Sequence, residues 1–425
     1  MTEKEAIDYI EDYSWHTTRM GLVRINELVQ KLGNPQKGLK FVHVTGSNGK
    51  GSTCAMVESI LRNAGFKVGF YSSPYLQVFN ERIKINGENI PGEDLARLTE
   101  KVKLIADAME NHPSQFEIIT AIAMLYFKEQ DCDIVVLEVG MGGALDATNI
   151  IDAPEVAAFT NIGLEHTEYL GDTIEKIAET KAGIIKPGCD VVCYDSCPEA
   201  VETIKKISKE KDVNFNLVDF KNTKLLVSDI HGQSFERKNA VYNISLLGEH
   251  QINNAAVALS IIEALKKRGW DIPDVAVKEG LENCKWPARL EVLSWKPLFI
   301  LDGGHNPQCA AALAKALKSL LPGKKVTFLT GVLADKDYKL IVVTIRPFAE
   351  KFICVTPLSD RALSANAYAE YLKSIGEKAE YFETIEAGLE EALKNEITVA
   401  FGSLYQAGAI RNIFEEKNYG IQVRH

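Results

Sequence analysis

Residues 46–53, GSNGKGST, place three glycines, a lysine and adjacent hydroxyl groups in one short segment after an apolar strand. Glycines let backbone N–H groups wrap around an anion, and a helix N-terminus adds partial positive charge. Lys50 can reach the β- and γ-phosphates of a nucleotide, and Ser52 or Thr53 can ligate or orient Mg²⁺. Gly51 separates the lysine from the hydroxyl groups, so the strict P-loop pattern is not met. The alternative is a strand–helix turn with incidental glycines. We predict a nucleotide-phosphate site.

Four further side chains outside this turn could contribute to a site: Glu138, His166, Lys181 and Lys186. Glu138 ends the strand in VVLEVGMGG, where a buried carboxylate is costly unless it is paired or binds a cation, so we predict a Mg²⁺ ligand. A carboxylate that caps the next turn is the alternative. His166 lies just after a strand, although a lone histidine is more often a core or surface residue. Lys181 and Lys186 alone would be interpreted as solvated lysines, with Lys186 at a helix C-terminus, where a cation is favoured.

Two further polar segments could bind substrates. Residues 72–87, SSPYLQVFNERIKING, contain Ser73 and Arg82 and lack a clear helical period, so we interpret them as an active-site loop followed by a short strand. Residues 301–307, LDGGHNP, contain Asp302 and His305 at a strand-to-helix turn, where α/β sheets bind ligands. Polar loops in two α/β segments indicate a cleft between two domains.

Composition excludes several functional classes. The net charge of −10 over 425 residues disfavours a general nucleic-acid binder, which would carry a basic face. The sequence contains no run of about 18 apolar residues, so no membrane span is predicted. Residues 1–30 lack the apolar core of a secretory signal, so we expect a cytoplasmic protein. Cys189, Cys193 and Cys197 have a spacing that matches no metal motif, so free thiols are expected.

Apolar, β-branched runs alternate with helical patterns in the first half of the chain. This rhythm predicts a parallel sheet covered by helices on both faces. The predicted strands lie at 41–46, 67–73, 133–140, 155–161 and 190–196, and the predicted helices at 51–64, 93–110, 116–129, 172–186 and 197–210.

The rest of the chain predicts an insertion and a second domain. Residues 211–247 are interpreted as short antiparallel strands forming a small insertion on the first domain, followed by helices at 250–268 and 273–281. A second α/β rhythm starts near 298. The predicted fold class is α/β: a P-loop nucleotide-binding parallel-sheet domain with a small β insertion, followed by a smaller Rossmann-like α/β domain. The boundary is placed at 292–297, which gives domains 1–292 and 298–425.

The motifs together resemble one known family, the folylpolyglutamate synthase/dihydrofolate synthase family of the Mur ligase superfamily. The matching segments run in order from residue 43 to residue 408, and their conjunction is specific although each alone is weak. They are HVTGSNGKGST, YSSPYLQVFNERI, EVGMGGALDATN, GLEHTEYLGDT, KAGIIKPG, HQINNAAVAL, WPARLE, LDGGHNP, GVLADKDY and GSLYQAG.

The resemblance implies roles for individual residues. ATP would be bound by Gly46, Asn48, Gly49, Lys50, Gly51, Ser52, Thr53, Asn254, Arg289, Asp302 and His305. Mg²⁺ would be held by Ser73, Glu138, His166 and Lys181, the last as a carbamate formed with CO2. The catalytic residues would be Lys50, His166, Lys181 and His305. The folate side would involve Ser73, Pro74, Tyr75, Arg82 and Asp146. Ala144 and Tyr75 depart from the commonest family pattern, which leaves substrate preference open.

The implied activity is ATP-dependent amide formation between a folate carboxylate and L-glutamate through an acyl phosphate. The implied substrates are a reduced folate, L-glutamate and ATP, and family members are commonly monomers. Joining dihydropteroate to the first glutamate is a second activity, and a monofunctional dihydrofolate synthase remains an alternative. A cell-wall Mur ligase is a further candidate, but the 45 residues before the phosphate loop leave no room for its extra N-terminal domain. A P-loop ATPase that acts through partner binding is a candidate from a different functional class.

Overall fold

A computed structural model describes residues 1–12, 20–417 and 419, and the chain forms two compact units. The first unit comprises Met1–Lys224, Glu236–Tyr242 and Asn253–Cys284. The second unit comprises Leu225–Phe235, Asn243–Ile252 and Lys285–His425.

The first unit is built on an eight-stranded sheet. From β2 to β8 every neighbouring pair is parallel, whereas β3 pairs antiparallel with β2 and with β4 at one edge. In spatial order the strands are β4 (Glu88–Asn89), β3 (Ile83–Ile85), β2 (Val68–Tyr71), β5 (Ile134–Glu138), β1 (Phe41–Thr45), β6 (Val156–Phe159), β7 (Asp190–Cys193) and β8 (Asn214–Leu217).

The apolar strand sequences explain why this sheet is internal. Strands β1, β2, β5, β6 and β7 are buried along their whole length, as expected for parallel strands covered on both faces. The helices of this part of the chain are α1 (Glu3–Ile10), α2 (Val23–Lys31), α3 (Lys50–Asn63), α4 (Gly92–Ala106), α5 (Gln115–Glu129), α6 (Thr167–Leu170), α7 (Ile174–Ala182), α8 (Pro198–Glu210), α9 (Glu249–Lys267) and α10 (Asp274–Glu282). Helix α5 begins with a capping box, in which Ser114 Oγ accepts the backbone N–H of Glu117.

Strand β8 corrects the interpretation of residues 211–247. The segment NFNLVDF was predicted to belong to the small insertion, but β8 pairs in parallel with β7 and extends the main sheet. It is an edge strand, so its residues are only partly buried and the apolar run typical of a central strand is absent. A separate three-stranded sheet follows, in the order β11 (Ala240–Ile244), β10 (Gly232–Arg237) and β9 (Thr223–Asp229).

The second unit contains a six-stranded sheet. Its strands are all parallel except β12, which pairs antiparallel with β13. The spatial order is β12 (Glu291–Trp295), β13 (Leu298–Leu301), β17 (Ile397–Phe401), β14 (Val326–Thr330), β15 (Ala349–Cys354) and β16 (Ala379–Tyr381). Its helices are α11 (Pro307–Leu320), α12 (Tyr338–Ile345), α13 (Ala365–Ser374), α14 (Ile385–Ala392) and α15 (Leu404–Glu416).

The two units differ from the domains drawn at 1–292 and 298–425. The second unit already starts at Lys285, because β12 pairs with β13 and so belongs to the second sheet. It also takes residues 225–235 and 243–252, which were assigned to the first domain. Within the described ranges, no helix combines the length and apolar character needed to cross a membrane.

Candidate active site

The segment between β1 and α3 forms the turn that was predicted to bind phosphate. Gly46 and Gly49 have φ angles of +148° and +88°, a backbone region that favours glycine. A Cβ on Gly46 would lie 1.9 Å from Thr160 Oγ1, and a Cβ on Gly49 would lie 2.4 Å from Asn254 Oδ1. Both positions therefore require glycine, because the backbone is left-handed there and neighbouring side chains leave no space for a Cβ atom.

The same turn is fastened to the end of β6. The backbone N–H of Ser47 donates to Asn161 O at 2.7 Å, and its hydroxyl donates to Gly163 O at 3.0 Å. Lys50 starts α3, and its Nζ donates back to Gly46 O at 2.9 Å and to Ser47 O at 3.3 Å. The lysine ammonium thus lies directly over the turn, where a phosphate group would need positive charge.

Two hydroxyl groups complete the turn. Ser52 and Thr53 lie in the first turn of α3 and are buried. Thr53 Oγ1 is a buried oxygen without a hydrogen-bond partner. Because buried hydroxyl groups are normally paired, this oxygen fits a site completed by a ligand. The glycine cradle, the ammonium and this hydroxyl together fit the phosphates of a nucleotide.

Although Lys181 is distant in sequence, its side chain contacts Gly46, the first residue of this turn. It is almost fully buried on α7, and its Nζ donates to Gly46 O at 3.0 Å and to Glu165 Oε1 at 2.8 Å. Burial lowers the pKa of Lys181 to about 8, despite the opposing effect of Glu165. Burial raises the pKa of Glu165, but the positive charges of Lys181 and Lys50 outweigh it, so the carboxyl pKa is lowered overall. Lys181 is therefore not a solvated lysine.

Glu165 is a site residue that sequence reasoning missed. It precedes His166 in the motif GLEHTEYLGDT, where only the histidine was singled out. A carboxylate next to a predicted ligand and shortly after a predicted strand was the available signal, because such a group needs a cation when buried. His166 has a φ of 45° and precedes the short helix α6.

Glu138 and Ser73 are brought together at the ends of β5 and β2. The backbone N–H of Ser73 donates to Glu138 Oε2 at 3.3 Å, and the carboxylate is buried. A carboxylate beside a hydroxyl-bearing residue suits the oxygen preference of Mg²⁺. In the part of the chain that the structure describes, no three His, Cys, Asp or Glu side chains group as a metal site. The set Ser73, Glu138, His166 and Lys181 therefore stays a prediction.

The predicted folate loop follows β2. Pro74 follows a cis peptide bond, and Tyr75 donates its hydroxyl to Glu11 Oε1 at 3.1 Å. The Arg82 guanidinium lies 5.2 Å from the centre of the Tyr75 ring and 5.5 Å from that of Phe79. These cation–π contacts hold an arginine against the loop. Binding of a substrate by these residues stays a prediction.

Asp146 points into the protein. Its Oδ1 accepts the Thr148 hydroxyl at 2.6 Å and the Thr148 N–H at 3.0 Å, and its Oδ2 accepts the Met141 N–H at 2.8 Å. Burial raises the pKa of Asp146, and these hydrogen bonds oppose that effect. Its observed role is to organise its own loop, so direct substrate binding by Asp146 stays a prediction.

In the second unit, Asp302 holds a backbone segment. Its two oxygens accept the N–H groups of Leu290 at 3.0 Å and Gly304 at 2.8 Å. Burial raises the pKa of Asp302 in spite of the nearby Arg289. Ala288 and Leu290, on either side of Arg289, have positive φ angles, so Asp302 stabilises an unfavourable backbone there. His305 Nδ1 lies 3.2 Å from Gly303 O.

Lys186 corrects the expectation of a lysine at a helix C-terminus. Helix α7 ends at Ala182, and Lys186 donates to the backbone oxygens of Asn149 and Ile151. Burial lowers its pKa to about 8. Pro187 and Gly188 indicated the end of an element, but the preceding residues had already left the helix. All eight cysteines are free in the structure.

Comparison with known proteins gives the family. The Mur ligase middle domain matches residues 44–262, and the Mur ligase glutamate ligase domain matches residues 288–403. Folylpolyglutamate synthase of Lacticaseibacillus casei is 34% identical over 97% of this chain and 98% of its own. The chain belongs to the folylpolyglutamate synthase family of Mur ligases. Dihydrofolate synthase/folylpolyglutamate synthase of Bacillus subtilis is 36% identical over 77% of this chain and 79% of its own.

A solved structure extends the similarity to three dimensions. The Escherichia coli FolC protein in complex with DHPP and ADP has a TM-score of 0.85 and 29% identity, and the match covers 98% of this chain and 99% of that one. As a folylpolyglutamate synthase family member, the chain has the Mur ligase fold, which confirms the predicted fold class and the resemblance.

Proposed function

We propose that this protein is an ATP-dependent ligase that adds L-glutamate to the γ-carboxylate of a reduced folate or folate polyglutamate. The family relation gives the reaction class, since the curated relatives are named for this activity. The observation that carries the proposal is Lys181, a buried amine 3.0 Å from the first carbonyl oxygen of the phosphate loop. A nucleotide bound in this loop would lie beside the amine, whose burial is compensated by the ion pair with Glu165.

The reaction needs activation of a poor acyl donor. A carboxylate oxygen attacks the γ-phosphorus of ATP, ADP leaves, and an acyl phosphate forms. The α-amine of glutamate then attacks the carbonyl carbon and loses a proton. The tetrahedral intermediate collapses to an amide and releases phosphate, which keeps one oxygen of the original carboxylate. The nucleotide complex of the Escherichia coli protein contains ADP, one product of this scheme.

The residues of this chain would reduce the repulsion between the carboxylate and the triphosphate. We assign Lys50 to the phosphates because its Nζ lies over the turn, and loss of one such group in comparable sites costs about 3–4 kcal/mol of barrier. Arg289 and His305 are assigned to the phosphates by the family resemblance. Asn254, whose amide oxygen lies against Gly49, and Asp302 are assigned to the adenosine.

Mg²⁺ is proposed at Ser73, Glu138, His166 and Lys181, where it would neutralise charge on the phosphates. Glu138 and Ser73 are already in contact through a 3.3 Å hydrogen bond. A carbamate on Lys181 would carry negative charge next to Glu165. Its formation therefore requires the ion pair with Glu165 to separate, and a bound cation would favour that separation.

A second acceptor, dihydropteroate, is proposed because the Bacillus subtilis relative is named for both activities. Both acceptors present a carboxylate to ATP, so one set of phosphate-binding residues serves both. A cytoplasmic, monomeric protein is the accompanying prediction.

Product analysis tests the proposal. Purified protein is incubated with ATP, Mg²⁺ and L-glutamate, and with tetrahydrofolate monoglutamate, dihydropteroate or no acceptor, and the products are analysed by mass spectrometry. A glutamate added to tetrahydrofolate is expected, and addition to dihydropteroate assigns the second activity. ATP hydrolysis that does not depend on an acceptor, with no glutamylated product, would reject the ligase in favour of an ATPase.

A further inference from the structure

His43 is an imidazole in the middle of β1, at a position where the neighbouring strand residues are apolar. It is completely buried, and its Nε2 lies 2.9 Å from Thr148 Oγ1. The ring Nδ1 is a buried atom without a hydrogen-bond partner. Burying a polar ring at such a position costs free energy unless the hydrogen bond that the ring makes compensates for the lost hydration. The contact with Thr148 is therefore the feature of His43 that calls for an explanation.

The hydrogen bonds run in one direction from His43 to Asp146. The Thr148 hydroxyl has one proton and donates it to Asp146 Oδ1 at 2.6 Å. Thr148 Oγ1 must then accept from His43, which places the imidazole proton on Nε2 and leaves Nδ1 bare. This tautomer also agrees with an Nδ1 that has no partner, because a bare buried nitrogen is less costly than an unpaired N–H.

His43 is a fixed donor and not a proton carrier. Burial, with a smaller contribution from the positive charge of Lys186, lowers the pKa of His43 to about 3. The imidazole therefore keeps the same single proton at neutral pH. We call the hydrogen-bonded chain His43–Thr148–Asp146 the relay; it fixes the positions of these side chains and transfers no proton.

Asp146 connects the relay to the loop after β5 through a hydrogen bond. It accepts the N–H of Met141, and Ala144 N donates to Thr180 O at 2.8 Å. A Cβ on Gly143 would lie 2.6 Å from the backbone oxygen of Lys181. The loop 140–146 is thus packed tightly on the backbone of α7 next to Lys181, while Leu145 on the same loop is 46% exposed.

We propose that His43 is a positioning residue for the folate acceptor, because it fixes the Asp146 carboxylate through Thr148 and thereby holds the loop 140–146 in place. The inference rests on the proposed function for the identity of the acceptor. The phosphate loop also has contacts of its own, from Ser47 to Asn161 and Gly163, so loss of the relay is expected to affect ATP binding less than acceptor binding.

Three variants separate positioning from stability. His43→Leu removes the donor, His43→Gln keeps an N–H donor at the end of the side chain, and Val42→Ala makes a cavity at a buried neighbouring position of the same strand. His43→Leu is expected to raise KM for the folate acceptor about tenfold, with KM for ATP changed less than about twofold. His43→Gln should restore most of the acceptor KM. Val42→Ala should lower the melting temperature and leave both KM values unchanged.

The proposal is overturned if His43→Leu changes both KM values equally, or if Val42→Ala at equal loss of stability has the same effect. Failure of the proposed function has a different signature, in which wild-type protein glutamylates no acceptor. For that case, nitrogen-15 NMR of histidine-labelled protein gives a readout independent of activity, with His43→Leu assigning the signal. A neutral ring protonated on Nε2 supports the relay, and a ring protonated on Nδ1 rejects it.

Discussion

Gly49→Ala should impair ATP use far more than it impairs stability. Gly49 has a φ of +88°, and this left-handed backbone costs a non-glycine residue about 1–2 kcal/mol. A new Cβ would also lie 2.4 Å from Asn254 Oδ1, whereas ordinary contact starts at 3.4 Å, so Asn254 must retreat by the difference, about 1.0 Å. A misplacement of about 1 Å can cost about 100-fold in rate. We expect kcat/KM for ATP to fall about 10- to 100-fold.

Gly65→Ala is the matched control. Gly65 has a φ of +91°, and its Cβ would meet nothing within 4 Å. Both variants should lose the free energy of unfolding that the left-handed backbone costs, measured by urea denaturation, and Gly49→Ala should lose more because of the contact with Asn254. Only Gly49→Ala should lose kcat/KM for ATP in a steady-state ligation assay. Equal kcat/KM values for the two variants would refute the argument that Gly49 and Asn254 form part of the nucleotide site.

Four other predictions follow from the site and its buried groups. Lys50→Ala should abolish ATP-dependent amide formation with an unchanged circular dichroism spectrum; activity near wild type would remove Lys50 from the mechanism. Lys181→Ala should be partly rescued by small carboxylates if a carbamate acts there, and mass spectrometry of the wild type that finds only free lysine, without rescue, would count against it. His305→Ala should lower kcat more than it weakens folate binding, and the reverse would move His305 to the folate side. The free energy of unfolding should fall as pH drops from 6.5 towards 3. Burial lowers the pKa of His43 from 6.5 to about 3 and that of His250 to about 4, so the unfolded chain binds more protons than the folded chain in this range. In urea titrations His43→Gln should make the free energy of unfolding depend less on pH, and an unchanged dependence would contradict the prediction.

The phosphate loop and the main sheet could be predicted because their signals are local. Glycines, Lys50 and the hydroxyl groups are adjacent in sequence, and the buried parallel strands are continuous apolar runs. Strand β8 was misassigned because an edge strand buries little and so carries a weak apolar pattern. Its parallel pairing with β7 is set by the tertiary fold.

Contacts between distant segments could not be predicted from residue types. Lys181 was expected in solvent from its own sequence, yet its nitrogen reaches Gly46 and Glu165, which belong to other loops of the sheet. His43 likewise meets Thr148, the partner of Asp146, and nothing in the local pattern of either segment indicates that they meet.

Transfer of oxygen-18 tests the proposed ligation through an acyl phosphate most directly. A reduced folate labelled with oxygen-18 at both oxygens of its γ-carboxylate is incubated with the protein, ATP, Mg²⁺ and L-glutamate, and the released phosphate is analysed by mass spectrometry. Carboxylate attack on the γ-phosphorus predicts that each phosphate carries one labelled oxygen and that one glutamate is added for each phosphate released. Unlabelled phosphate, or phosphate released without a glutamylated product, would contradict the account.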